Sequence, residues 1–112
     1  MSGLMRYNYH FLNLLLETEP RQQRALLANL TDSQVDAITE IFFNIAHVVD
    51  LSDHQQKRLK RRLKLVKTLS KAKQSRKYRR ANIKRQAASV LSTLALVRDD
   101  VYKLIERAGQ DG

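Results

Sequence analysis

The chain has 112 residues, enough for one domain, and its hydrophobic fraction of 43% excludes a fully disordered tail. It contains no cysteine, which excludes a disulfide framework, a thiolate metal site and a cysteine nucleophile. Its formal net charge of +10 favours a polyanionic partner.

The composition is that of a helical protein. Glycine and proline are scarce, at three and one residues, and the helix formers leucine, alanine, arginine, lysine and glutamine dominate. Alternating β-branched patterns are nearly absent. We therefore predict an all-α fold, a small bundle of about five helices that forms a single domain over residues 1–112.

The first three predicted helices span about residues 4–17, 19–29 and 32–48 and form an acidic, apolar packing region over residues 1–50. Pro20 suits the first turn of the second helix. Thr31 and Gln34 form a capping box for the third. The apolar face predicted for the first helix consists of Leu4, Tyr7 or His10 with Phe11, Leu14 and Leu15; that of the third consists of Val35, Ile38, Ile41, Phe42, Ile45 and Val49.

Two further helices follow in a region over residues 53–108. Ser52 and Gln55 form a second capping box, which opens a basic helix predicted over about 53–72 with the apolar stripe Leu59, Leu63, Val66 and Leu69. Ser75 is a third candidate cap. After it, the pattern over 76–108 predicts a long C-terminal helix, first basic and then apolar, of roughly 50 Å, with a break near Ala88 and Ser89 left open as an alternative.

The apolar part of this last helix has a regular seam. Either the seam packs within the chain's own bundle, or it pairs two copies of the chain. We predict a homodimer through Val90, Leu94, Val97, Val101 and Leu104.

The charge is concentrated in the middle of the chain. Residues 1–53 hold three basic and seven acidic side chains, a net charge of −4, and residues 98–112 hold three and four, a net charge of −1. Residues 54–97 hold fifteen basic and no acidic side chains. The fifteen predicted nucleic-acid-binding residues are Lys57, Arg58, Lys60, Arg61, Arg62, Lys64, Lys67, Lys71, Lys73, Arg76, Lys77, Arg79, Arg80, Lys84 and Arg85.

An ordinary solvated helix face interleaves glutamate with lysine, because opposite charges four residues apart stabilise a helix. This segment has no such relief, so we favour a nucleic acid as its partner over a solvated face, an acidic protein or a membrane surface. DNA is favoured over RNA. Arg79, Arg80, Asn82, Arg85 and Gln86 could together read bases, and Tyr78 could stack on a base or pack in the bundle.

Nothing in the sequence indicates catalysis. His10, His47 and His54 are not at metal-ligand spacing, and there is no glycine-rich phosphate loop. We therefore predict a protein that is not an enzyme and has no cofactor or metal. No apolar run reaches membrane-spanning length, and the first fifteen residues make a poor signal sequence, so we expect neither a membrane partner nor secretion.

About half of the chain, Leu14 to Leu69, resembles a known group of sequences. The runs LLLETEPRQQRALLANLTDSQVDAITEIFFNI and LSDHQQKRLKRRLKLVKTLSK are similar to small basic proteins encoded by Maverick/Polinton-type elements and adintoviruses. That group continues to a Gly-Gly hinge and an apolar tail, where this chain has ASVLSTLALVRDDVYKLIERAG. The resemblance implies a virus-like element and a role with packaged DNA.

Our leading prediction is a protein that binds and condenses duplex DNA largely independently of sequence, in the nucleus of a host cell or in a virion interior. Two alternatives stay open. The chain could be a dimeric, sequence-specific transcriptional regulator, or a protein–protein adaptor that docks through its basic region.

Overall fold

The computed structural model describes residues 3–47, 49–71 and 74–110. These residues form helices joined by short connections, with no strand in the described ranges, which confirms the all-α prediction. The helices are α1 (Gly3–Tyr7), α2 (Tyr9–Glu17), α3 (Pro20–Ala28), α4 (Asp32–His47), α5 (Asp53–Leu59), α6 (Leu63–Ser70), α7 (Arg76–Arg85), α8 (Ala87–Leu96) and α9 (Arg98–Gln110). A 3₁₀ turn, Lys60–Arg62, joins α5 to α6.

The three predicted caps are confirmed. The Thr31 hydroxyl accepts a hydrogen bond from the Gln34 backbone N–H at 3.1 Å, and the Gln34 side chain accepts one from the Thr31 N–H at 2.9 Å. Ser52 and Gln55 form the same reciprocal pair. The Ser75 hydroxyl accepts from the Tyr78 backbone N–H at 3.1 Å. Each pair satisfies backbone donors that the first turn of a helix leaves free, and so fixes where that helix begins.

Helix α4 lies at the centre of the fold and packs against α1, α6 and α7. Five of its six predicted apolar positions are buried, while Val49 beyond the helix is half-buried. Phe42 is the largest of the fully buried side chains. An all-buried stripe at three- and four-residue spacing is what anchors a helix of this length in a bundle.

The first predicted helix is interrupted, and its predicted face is only partly right: Leu15 is buried, and Leu4 and Phe11 are half-buried against the core. Asn8 separates α1 from α2 with backbone angles of −100° and 20°. The core side chains here are Met5, Leu12, Leu15 and Leu16, whereas Tyr7 and Leu14 are exposed. Asn8 is itself buried, and its amide donates to the Leu4 carbonyl at 2.8 Å and to the Ser33 hydroxyl at 2.8 Å. These contacts set the break.

The single long C-terminal helix is also wrong. The backbone leaves helical geometry at Gln86 and again at Val97, which divides this region into α7, α8 and α9. Backbone hydrogen bonds continue through both bends, for example from the Val90 N–H to the Gln86 carbonyl at 2.9 Å. A straight helix of this length would span roughly 50 Å, but the described chain measures 33 × 33 × 31 Å. The bends let α9 turn back onto α1 and α2.

The predicted basic helix is present as α5 and α6, but the 3₁₀ turn between them changes which positions face the core. Leu59, Val66 and Leu69 are buried as predicted, and Leu65 joins them. Leu63, predicted on the same stripe, is 44% exposed. A 3₁₀ turn has three residues per turn and therefore rotates the positions that follow it relative to an α-helix.

The five residues of the predicted dimer seam lie inside a single chain. Val90, Val97 and Val101 are fully buried, and Leu94 and Leu104 are 3% and 4% exposed. This stripe packs against the chain's own N-terminal helices, because α8 contacts α3 and α9 contacts α1 and α2. It does not offer a surface through which two folded copies could pair.

Polar contacts hold the two ends of the fold together. The Tyr102 hydroxyl donates to Glu17 at 3.2 Å and accepts from Arg98 at 3.4 Å, and these contacts link α9 to α2. Gln55 donates to Asp100 at 3.1 Å and so links α5 to α9. Within the described ranges, every helix is too short or too polar to cross a bilayer.

Candidate nucleic-acid interface

A basic groove runs between α6 and the α7–α8 arm, with a cavity volume of about 370 Å³. Four cationic side chains line it, together with one tyrosine and several uncharged polar groups. No acidic side chain is found among the described residues that line it. The lining residues are Arg61, Arg62, Lys64, Leu65, Thr68, Tyr78, Asn82, Arg85, Gln86 and Ser89.

The local fold explains why these residues meet. Helices α6 and α7 are joined by residues 71–75 and contact each other, so they form a helical hairpin. Tyr78, Asn82 and Arg85 are spaced four and three residues apart and therefore share one face of α7. Lys64 and Thr68 share a face of α6 in the same way. The Ser75 cap fixes the start of α7 and with it the rotation of that face.

Hydrogen bonds position the α7 wall of the groove. Asn82 is buried, and its amide donates to the Tyr78 carbonyl at 3.1 Å. The Asn82 side-chain oxygen accepts a hydrogen bond from the Arg85 guanidinium. Arg85 itself is exposed and keeps donors toward the groove. A buried amide thus holds the arginine in place without neutralising its charge.

Further cations surround the groove on the outer surface of α5, α6 and α7. Lys60 and Lys67 also border a second, mainly apolar groove of about 400 Å³ on another side of α6. The exposed cations of residues 57–84 that lie outside the basic groove, other than Arg76, which pairs with Asp36, are called the ridge. The ridge consists of Lys57, Arg58, Lys60, Lys67, Lys71, Lys77 and Lys84. Lys73 lies outside the described residues.

Among the described residues, three of the predicted cations have an anionic partner in the chain itself. Asp36 of α4 accepts a hydrogen bond from the Arg76 guanidinium at 2.9 Å and forms an ion pair with Arg79 at 3.1 Å. Asp32 pairs with Arg80, whose guanidinium also donates to the Leu30 carbonyl at 3.3 Å. The basic segment therefore receives some of its missing counter-charge from α4, a contact that only the tertiary fold creates.

Arg79, which the sequence analysis places among the nucleic-acid-binding residues, is buried in this structure. Its side chain is 6% exposed, forms an ion pair with Asp36, and donates hydrogen bonds to the Thr39 hydroxyl and, at 3.1 Å, to the Gln74 carbonyl. A buried guanidinium is stable only when it is paired and hydrogen-bonded in this way. Arg79 thus anchors α7 to α4. Arg76 and Arg80 remain partly exposed beside their carboxylates.

The proposed base-reading set is not displayed on one free face. Arg79 and Asn82 are buried, and Arg80 is engaged by Asp32. Only Arg85 and Gln86 reach the groove without being buried. Reading a base edge in a groove of the duplex requires exposed donors held together on one element, and α7 does not supply them.

Within residues 3–47, 49–71 and 74–110, no three histidine, aspartate or glutamate side chains are grouped to hold a metal ion. Outside the groove, the hydrogen bond to Tyr102 raises the pKa of Arg98.

Comparisons of the chain with protein-family models, with curated proteins and with solved structures find no match.

Proposed function

We propose that this protein binds nucleic acid, with duplex DNA as the preferred partner, through the basic groove and the ridge. The observation that carries the proposal is the groove lining, in which Arg61, Arg62, Lys64 and Arg85 converge without an acidic side chain. A protein surface without a binding function interleaves opposite charges, because like charges close together destabilise it. A phosphate backbone supplies the missing anions and releases its counterions on binding.

The binding is largely independent of base sequence. The available groups are lysines and arginines on an exposed surface, and these contact phosphates, which are the same for every base. Of the groups that could read bases, Arg79 and Asn82 are buried and Arg80 is paired with Asp32. This disfavours the sequence-specific regulator.

The biological setting follows from the resemblance of Leu14 to Leu69. It supports a core or condensing protein of a virus-like element, acting on packaged DNA in a host nucleus or a virion. The helices of residues 1–50 form the packing platform for the basic elements. The residues of the predicted dimer seam are buried within the chain, so the proposed binding is assigned to the groove and ridge of a single copy.

The test is a titration of the folded protein against duplex DNA, duplex RNA and anionic vesicles, each at two salt concentrations. We expect binding to duplex DNA that weakens strongly as salt rises and varies little between unrelated sequences. Absence of DNA binding at low salt would reject the proposal. A stronger affinity for vesicles than for either nucleic acid would move the assignment to a membrane surface.

A further inference from the structure

Tyr78 presents its ring in the basic groove. The side chain is 47% exposed although it belongs to the groove lining. Among the residues that the structure describes, none stacks on this ring and no cation lies over it; the observed aromatic contacts are Tyr9 with His10, Phe43 with His47 and Arg98 with Tyr102. The Ser75 cap fixes the backbone of Tyr78 on α7, and about half of the side chain is open to solvent.

Cations line the same groove as this ring. Lys64 is on the facing helix, and Arg61 is one turn earlier on the 3₁₀ segment. Arg85 is further along α7 on the same face as Tyr78, roughly 10 Å away at the rise of an α-helix. A groove with an aromatic ring at one end and cations along its walls is the arrangement that binds the base and the backbone of an unpaired strand.

We propose that the basic groove binds an unpaired nucleotide, with the base stacked on Tyr78 and the adjoining phosphates held by Arg61, Lys64 and Arg85. This inference rests on the proposed nucleic-acid binding and adds that the groove prefers an unpaired base to a base within a duplex. A base inside a duplex already stacks on both neighbours, so only an unpaired base offers a free face to the ring. The ridge binds the backbone of either form.

The polar side chains that line the basic groove explain why it can accept different bases. Thr68, Gln86 and Ser89 line the groove with small or flexible polar groups, which adapt to any base edge. The firmly held groups are Asn82, which bonds within α7 and to Arg85, and the capped backbone of Tyr78. Stacking is tolerant of sequence because every base has a π face.

The experiment measures binding of the full chain to a labelled oligothymidylate and to a blunt duplex by fluorescence anisotropy. Tyr78→Ala should weaken oligothymidylate binding about tenfold and duplex binding by no more than about twofold. Tyr78→Phe should retain oligothymidylate binding, because the ring is kept. Tyr7→Ala removes a tyrosine that is 81% exposed on α1 and should change neither affinity. Far-UV circular dichroism checks that each variant is folded.

The outcomes separate this inference from the proposed function. Failure of the wild type to bind oligothymidylate, a Tyr78→Ala variant that binds it as wild type does, or equal losses on both probes would overturn the nucleotide site. Duplex binding by the wild type and its loss in the Arg61→Gln, Lys64→Gln double variant report on the proposed function, whatever happens at Tyr78.

Discussion

Two arginines of α7 show how surroundings decide what a cation does. Arg79 is buried against α4, where it forms an ion pair with Asp36 and donates a hydrogen bond to Thr39. Arg85 points to the basic groove, where a neutral amide holds it, and it is exposed. Burial of a charge is stabilising only when a partner compensates the lost hydration. We therefore expect Arg79 to contribute to stability and Arg85 to binding.

Replacing Arg79 with Gln tests this division. The substitution leaves Asp36 and Thr39 with fewer donors in a largely buried contact, so we expect the free energy of unfolding to fall by about 2–4 kcal/mol. Arg76→Gln is the matched control. It contacts the same carboxylate from a side chain that is 55% exposed, and it should lower the free energy by less than about 1 kcal/mol. Denaturant unfolding measures both.

The Arg79→Gln variant also separates an effect on stability from an effect on DNA affinity. Under conditions where Arg79→Gln is fully folded, its duplex-DNA affinity should match that of the wild type. A large loss of affinity with unchanged unfolding would mean that Arg79 reaches the nucleic acid and that its contact with α4 is not maintained in solution.

At the scale of the helical element, local signals predicted the helix starts and failed at the bends. Thr31, Ser52 and Ser75 act within three residues of themselves, so a capping interaction can be recognised in the sequence alone. Gln86 and Val97 carry no such signal, since neither is a helix breaker. The bends follow from packing of α8 on α3 and of α9 on α1 and α2, which only the complete chain supplies.

The charge pattern was partly predictable for a similar reason. The absence of acidic residues between Asp53 and Asp99 identified the region that contains the groove and the ridge. It could not show that Asp32 and Asp36 would reach Arg76, Arg79 and Arg80, because those carboxylates are about forty residues earlier in the chain. It also could not show that Tyr78 would face the groove, since a bundle-facing tyrosine has the same spacing.

Leu94→Glu tests whether the C-terminal seam is internal. The side chain is 3% exposed, so a carboxylate there would be buried without a partner, and we expect loss of more than about 3 kcal/mol or loss of cooperative unfolding. Ala95→Glu is the control on the same helix, because Ala95 is exposed; its effect should stay within about 0.5 kcal/mol.

Sedimentation, measured together with the unfolding curves, shows whether the seam packs within one chain or pairs two chains. We expect the same oligomeric state for the wild type and both variants. A wild-type dimer that Leu94→Glu converts into a folded, helical monomer would contradict the internal seam.

At the scale of the molecule, cations collect on one part of the surface and acids on others. The groove and ridge belong to α5, α6 and α7, and Lys103 and Arg107 lie on α9, which packs against α1 and α2. Asp99, Asp100 and Glu106 share α9 with them. We therefore expect a polyanion to be attracted to the α5–α7 side of the molecule.

The slope of log affinity for duplex DNA against log salt tests the central claim most directly. With six to eight phosphate contacts, the wild type should give a slope of about −5 to −7. The Arg61→Gln, Lys64→Gln variant should be shallower by about 2 and weaker on every sequence. The Lys103→Gln, Arg107→Gln variant removes the same charge from α9 and should keep the wild-type slope. A wild-type slope shallower than about −2, or equal losses in the two double variants, would contradict binding through the groove and ridge.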